Sequence, residues 1–387
     1  MGRSTGAYET SSVAGENVRA FIPHPLPPAR PKLRLTGDLA IQLREAESSL
    51  AGLHAASRMV PSLDWFVYAF VRKEAVISSQ IEGTQASLDD LLAAEADARV
   101  AAPPEHVEEI CNYLEALKYA RDQLSKKNGL PLSVRLFNGA HKRLMAGTRG
   151  QDKQPGKLRR SQNWIGGTRP GNARFVPPPP HRVAGLLGDL ETLLNSDDTI
   201  PPLIRAGLAH AQFETIHPYL DGNGRLGRLL IALCLQEWKQ LSEPLLYLSL
   251  FFKRHRREYY DRLGAIRTDG DWEGWLAYFL EGVAVIADES VNVIGTLFHV
   301  LTRDRSRYLE SGAATVLGSR LFEQLPQNPV VTVKSTVRIC KTTRPTAAKA
   351  IGSLCDAGIL REISGRSRDR TYEYGEYLAV LRKGTEI

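Results

Sequence analysis

His217-Pro-Tyr-Leu-Asp-Gly-Asn-Gly-Arg-Leu-Gly-Arg228 is the stretch on which the reading of this chain turns. Asp221-Gly-Asn-Gly224 interrupts any helix, because glycines at 222 and 224 permit positive φ and close backbone approach to a ligand. Beyond Asn223 the apolar residues Leu226, Leu229, Leu230 and Leu233 recur at helical spacing. The N–H groups of the loop and the helix N-terminus therefore face one anion. Arg225 and Arg228 are three apart and share a face in the first turns. Cations there oppose the helix dipole, so another partner must hold them, and a polyphosphate serves. His217 stands just upstream, where Pro218 helps to end the preceding helix. An imidazole with an ordinary pKa of about 6.5 suits proton abstraction at neutral pH. Asp221 offers a hard oxygen to Mg²⁺, which binds through one or two carboxylates together with substrate phosphates. A Gly-rich turn between core helices would account for any one of these residues. It does not account for a base, a metal ligand, a phosphate loop and two arginines in one place.

The stretch resembles the signature of Fic-domain proteins, His-x-Phe-x-(Asp/Glu)-Gly-Asn-Gly-Arg-x-x-Arg, with Tyr219 where the family usually has Phe. The resemblance implies a mainly α-helical Fic-type domain and a protein adenylyltransferase. In that reading AMP passes from Mg·ATP to a Ser, Thr or Tyr hydroxyl of a protein, and pyrophosphate leaves. His217 is the catalytic base and Asp221 holds Mg²⁺ between the α- and β-phosphates. Nucleotide-binding residues are Gly222, Asn223, Gly224, Arg225, Leu226, Gly227 and Arg228. Asn223 and the N–H groups of Gly222 and Gly224 take the α-phosphate, Arg225 the β-phosphate and Arg228 the γ-phosphate. Two further family features follow by resemblance. Ser78-Ser-Gln-Ile-Glu-Gly83 reads on its own as a helix end with a glycine cap, and beside the signature it is similar to the inhibitory motif, with Ser78, Glu82 and Gly83 in the matching positions. A carboxylate near Arg228 would compete with the terminal phosphate for the guanidinium. Tyr259 and Tyr260 resemble a pair that flanks the nucleoside.

Around these motifs the chain of 387 residues allows two to three domains. Residues 1–35 are Gly/Ser-rich, then Pro-rich, and predict an extended arm. Residues 36–100 predict N-terminal helices with the motif at 78–83, and 101–300 a catalytic core. Within the core, 156–178 carries too many Gly and Pro for a long helix. Asn163-Trp-Ile165 and Arg174-Phe-Val176 predict a hairpin there. By resemblance this is the flap, with Asn163, Trp164, Ile165 and Gly166 receiving the target backbone as an added strand. His141 and His210 are expected to be structural. Residues 311–387 predict helices at 317–325, 333–339 and 343–357, then strand, basic tip and strand, an order that resembles a winged helix-turn-helix. Arg344, Lys349, Arg366, Arg368 and Arg370 would give it a basic face.

Charge agrees with that division. The chain carries a net +7, and from Arg303 onward 15 Lys and Arg face nine Asp and Glu. Cys111, Cys234, Cys340 and Cys355 lie far apart, suggesting neither a zinc site nor a disulfide framework, and a cytoplasmic setting is expected. The longest apolar run, Leu229 to Leu235, is far short of a membrane span, so no membrane partner is expected. The expected partners are ATP, a hydroxyl-bearing protein that can be the chain itself, DNA or a protein on the C-terminal module, and a second copy in a homodimer. Two other functions fit the same residues: removal of AMP from a modified protein with Glu82 orienting water, and a DNA-binding regulator whose Fic domain senses nucleotide.

Overall fold

The computed structural model describes residues 3–13, 15–60, 62–147, 151–196 and 199–387, so residues 1, 2 and 14 of the arm, 61 of the N-terminal helices and 148–150 and 197–198 of the core lie outside them. The N-terminal arm is not extended. Gly6–Val13 (β1) and Glu16–Pro23 (β2) pair antiparallel, from Gly6 opposite Pro23 to Val13 opposite Glu16. Alternation decides this: Val18 and Ala20 turn inward while Asn17 and Arg19 face solvent. Phe21 packs edge-on against Tyr8 at 5.3 Å.

Helices follow in order: α1 (Asp38–Met59), α2 (Leu63–Ile81), α3 (Leu88–Glu95), α4 (Pro104–Ser125), α5 (Val134–Leu144), α6 (Pro180–Asn195), α7 (Pro202–Ile216) and α8 (Asn223–Glu237). Then come α9 (Ser249–Arg254), α10 (Arg256–Asp269), α11 (Trp272–Glu310) and α12 (Val316–Gln324). Starts are set by local chemistry. Ser87 caps α3 in a reciprocal box with Asp90, and Pro180 and Pro202 occupy first-turn positions where no N–H is needed. Helix α11 is 39 residues long. It is also long and apolar enough, by length and composition, to cross a membrane, with a window of mean hydropathy 1.4. An average over a helix reaches this level without any uninterrupted apolar run as long as a membrane span. Trp275, Leu276, Phe279, Leu280 and Val283 are nonetheless fully buried among protein side chains, as in a core helix.

Contacts divide the chain along a different line from the one expected. One compact unit holds residues 1–51 and 112–287; the other holds 52–111 and 288–387. In the first, α6, α7 and α8 pack side by side, with Leu203, Ile204, Leu208, Ala211 and Phe213 of α7 all buried.

In the second unit the C-terminal elements run α12, β3 (Val330–Thr332), α13 (Val333–Cys340), α14 (Arg344–Asp356), β4 (Arg361–Glu362), β5 (Thr371–Glu373) and α15 (Gly375–Arg382). The sheet order is β3-β5-β4, all antiparallel. Tyr308 of α11 meets Ser353 of α14 at 2.8 Å, and the Tyr374 hydroxyl donates to Asp304. This C-terminal module also holds the α2–α3 segment. Gln80 Nε2 donates to the carbonyl of Thr385 at 2.8 Å, and Arg382 Nε lies 2.8 and 2.9 Å from the two Asp89 oxygens. Arg338 pairs with Asp97, and the Thr332 hydroxyl donates to the carbonyl of Ala96.

Candidate active site

All signature residues lie in the first unit, in the turn from α7 to α8. Helix α7 ends at His217, whose backbone is left-handed (φ 49, ψ 61) and whose N–H donates to the carbonyl of Phe213 at 2.9 Å. A non-glycine residue tolerates this conformation only where its surroundings enforce it. Arg159 does so. Its guanidinium, 2% exposed, donates from Nε to the carbonyl of His217 at 2.8 Å and from Nη2 to those of Ile216 and Pro178. Its own N–H donates to the carbonyl of Pro218. A cation on the last carbonyls of a helix satisfies groups that have no intrahelical donor. Burial pulls the Arg159 pKa down to about 10, which leaves it charged at neutral pH.

Past His217, Tyr219 is fully buried and stacks on His141 with ring centroids 3.8 Å apart. Its hydroxyl, which the usual Phe would lack, donates to Asn138 Oδ1 at 2.8 Å, so the departure from the family pattern adds one satisfied bond. Gly222 is left-handed (φ 76), and a Cβ there would come within 2.7 Å of Met145 Sδ; only glycine fits on both counts. Helix α8 begins at Asn223, so the N–H groups of Asn223, Gly224 and Arg225 occupy the first turn, where an α-helix supplies no acceptors. The Asp221 side chain is half exposed; its Oδ1 accepts the Gly222 N–H and lies 3.7 Å from Arg225 Nη2. Arg225 and Arg228 are both buried, at 5% and 3% exposure.

The Asn223 side chain has a different task from the phosphate contact expected of it. Its Oδ1 accepts the Tyr219 N–H and its Nδ2 donates to the Tyr219 carbonyl, both at 2.9 Å. The amide is thus a clamp on the loop, and only its backbone N–H faces the first turn.

Two buried histidines brace the turn, and their tautomers follow from their partners. Gly156 donates its N–H to His141 Nδ1, so His141 Nε2 carries the proton and donates to the carbonyl of Asp221 at 3.0 Å. His210 Nδ1 donates to the carbonyl of Gly227, so its Nε2 accepts from the Tyr259 hydroxyl, each at 2.9 Å. Burial lowers the His141 pKa to about 4 and that of His210 to about 3. The unfolded chain binds these protons near the ordinary pKa of about 6.5, the folded chain only far below it. Stability due to these groups is therefore present at neutral pH and is lost as pH falls from about 6.5 toward 4. The expected slope is about 1.4 kcal/mol per pH unit for each histidine. Urea unfolding at pH 7, 6 and 5 measures it; a midpoint that stays flat over this range would refute the buried neutral assignment.

The flap is reduced to one antiparallel pair. Ile165 and Phe175 exchange N–H···O bonds of 2.8 and 3.1 Å, without a longer ladder. Asn163 Nδ2 donates to the Tyr219 carbonyl at 3.1 Å, tying this segment to the signature loop. Trp164 is partly exposed, and Gly166 turns the chain at φ 69. The N-terminal hairpin braces the flap from behind: Phe21 donates its N–H to the Val176 carbonyl, and Glu16 takes Arg169 at 2.6 Å and the Gly171 N–H at 2.7 Å.

Of the tyrosine pair, Tyr259 is 1% exposed, bonded to His210 and stacked on Phe252, so it is a core residue and not a wall of a nucleoside pocket. Tyr260 is half-buried beside it. Ser78, Glu82 and Gly83 belong to the second unit. Ser78 is buried near the end of α2, Glu82 is exposed, and Gly83 at φ 97 ends the helix. No group of three or more His, Cys, Asp or Glu that could hold a metal occurs among the described residues. A lone exposed carboxylate at Asp221, beside open helix N–H groups, fits Mg²⁺ that arrives with the phosphates supplying its other oxygens.

The turn combines an open first helical turn, a left-handed histidine and two buried arginines, and comparison with known proteins shows the family to which it belongs. Residues 40–122 match the Fic/DOC family N-terminal domain and residues 131–235 match the Fic/DOC family domain. The chain is a Fic-domain protein. It is 32% identical over 165 residues to the protein adenylyltransferase Fic of Aedes aegypti, covering 42% of this chain and 30% of that one. To a probable protein adenylyltransferase of Aquifex aeolicus it is 30% identical over 179 residues, 45% of this chain and 51% of that one. The chain thus spans about 30% of the length of the first of these curated relatives and 51% of the second. Among solved structures, a Fic family protein from Desulfovibrio desulfuricans shares the fold at TM-score 0.56 and 21% identity, over 88% of this chain and 96% of that one. A Fic domain-containing signalling protein from Bacteroides thetaiotaomicron does so at TM-score 0.53 and 16% identity, over 65% and 95%.

Proposed function

We propose that the chain transfers AMP from ATP to a hydroxyl of a protein. The observation that carries this is the turn from α7 to α8. There an imidazole is fixed by backbone geometry beside three N–H groups without helical acceptors, and two buried guanidiniums follow on the same helix. His217 takes the proton of the target hydroxyl as its oxygen bonds to the α-phosphorus and the bond to pyrophosphate breaks. The first-turn N–H groups hold the α-phosphate oxygens, and Arg225 and Arg228 take the charge of the β- and γ-phosphates. Asp221 would hold Mg²⁺, which when bound neutralises phosphate charge. The chain's own contribution is positioning and charge stabilisation. Target backbone laid along Asn163–Ile165 would present the hydroxyl, and Tyr260 is the member of the tyrosine pair left to meet the nucleoside. The test is incubation of the full chain and a protein extract with ATP labelled at the α- or the γ-phosphate, followed by peptide mass spectrometry. The reading expects α-label and an added AMP on Ser, Thr or Tyr; γ-label on protein instead would refute it.

Glu82 is read as the inhibitory residue by the position of Ser78, Glu82 and Gly83 at the end of α2. The C-terminal module is read as a winged helix-turn-helix that docks on duplex DNA. In support, its sheet order is β3-β5-β4 and Arg344, Lys349, Arg366, Arg368 and Arg370 are all exposed. Binding is expected to fall steeply with salt, and Arg366→Ala with Arg368→Ala to reduce the slope of log K against log salt by about 2. A gel-shift titration at several salt concentrations measures this; no binding even at low salt would overturn the DNA reading.

A further inference from the structure

Glu214 lies on α7 about one helical turn before His217, which caps that helix. Its Oε2 stands 4.0 Å from His217 Nδ1, and the two side chains are only 11% and 19% exposed. Room for the carboxylate comes from Gly227 on α8, where a Cβ would approach Glu214 Oε1 to 2.7 Å. On α10, the Arg267 guanidinium lies 3.9 Å over the ring of Phe175, and burial lowers its pKa to about 10 against a smaller opposing effect of the Glu214 charge. Phe175 in turn exchanges both backbone bonds with Ile165 of the flap.

We infer that Glu214 is a positioning residue that holds the Nδ1 side of His217. The inference rests on the reading of His217 as the base. An imidazole that donates Nδ1–H to a carboxylate keeps its lone pair on Nε2, directed away from Glu214. The hydroxyl proton then goes to Nε2 as the oxygen–phosphorus bond forms and pyrophosphate leaves. Glu214 stabilises the imidazolium so produced. At 4.0 Å the pair is beyond hydrogen-bond length, and catalytic hydrogen bonds commonly tighten only when substrate is in place.

The test uses the full chain. Glu214→Gln keeps the shape and removes the charge, and is expected to lower kcat of α-label transfer roughly 10- to 100-fold, a part of the ~10²–10⁴ that a positioned base supplies. The ATP dissociation constant is expected to stay within about twofold, because Glu214 acts through His217 and not on phosphate. The double variant with His217→Ala should be no slower than His217→Ala alone. Unchanged kcat in Glu214→Gln, or a further loss in the double variant, overturns the inference. The ¹⁵N spectrum of the wild-type His217 ring gives a readout that no folding defect can confuse. With a bound target peptide the Nδ1–H tautomer is expected, and a predominant Nε2–H tautomer overturns the assignment. If His217→Ala itself retains full transfer, it is the parent reading that fails.

Discussion

His217→Ala is expected to lower AMP transfer by about 10²- to 10⁴-fold, the contribution of a positioned general base, while ATP still binds. Phosphate contacts in the proposed complex come from the first-turn N–H groups of α8 and from Arg225 and Arg228, none of which the substitution touches. The loop itself should persist. Its clamps are Arg159 on the carbonyls of Ile216 and His217, and Asn223 on the backbone of Tyr219. Alanine must still adopt φ near 49 at this position. His217→Asn is therefore the better-folded companion variant, because asparagine enters the left-handed region more readily. Both variants should lose transfer of α-label and keep nucleotide affinity by direct titration. Undiminished transfer in either would remove His217 from the role of base.

Glu82→Gly is expected to raise transfer or self-modification roughly 10- to 100-fold. A bidentate carboxylate–guanidinium bond in a partly buried site contributes about 1.5–3 kcal/mol, and about 1.4 kcal/mol is one decade of occupancy. If Glu82 competes with the γ-phosphate for Arg228, its removal frees that much for the productive pose. Arg228→Ala should bring no rise, because it removes the γ-phosphate ligand together with the lock. Labelling rates of the two variants and the parent decide this. Reduced transfer by a folded Glu82→Gly protein would count against inhibition. If the same variant also lost removal of AMP from a modified target, Glu82 would instead be orienting water, and hydrolysis would be the better reading.

What the sequence discloses about this molecule is mostly short-range. The signature loop and its helix were readable because glycines at 222 and 224 and leucines at 226, 229, 230 and 233 act on their own neighbours. Helices α4 and α7 likewise begin at their prolines. The supports of the site were not readable, because each is a long-range bond. Arg159 reaches the end of α7 across 58 positions, and His210 joins Gly227 to Tyr259 across three helices. The protein partners of Asn223 and Tyr259 are hidden for the same reason: their polar groups can serve ligand or protein, and only the fold supplies Tyr219 to the one and His210 to the other. The N-terminal hairpin was hidden by composition. Glycine and serine near the start, and prolines after Phe21, obscured an alternation that needs only Val18, Ala20 and Phe21 to find a core.

One feature of the second unit bears on how the chain is made. The α2–α3 segment is held by partners some three hundred positions later, Gln80 by Thr385 and Asp89 by Arg382. At a synthesis rate of about 5–20 residues per second, roughly 15–60 s separate the emergence of residue 80 from that of its partner. During that interval the signature turn and the helices of the first unit have already left the ribosome. The nascent chain thus has its signature turn before it has the support for residues 78–83, and closing so distant a contact is among the slow steps of folding.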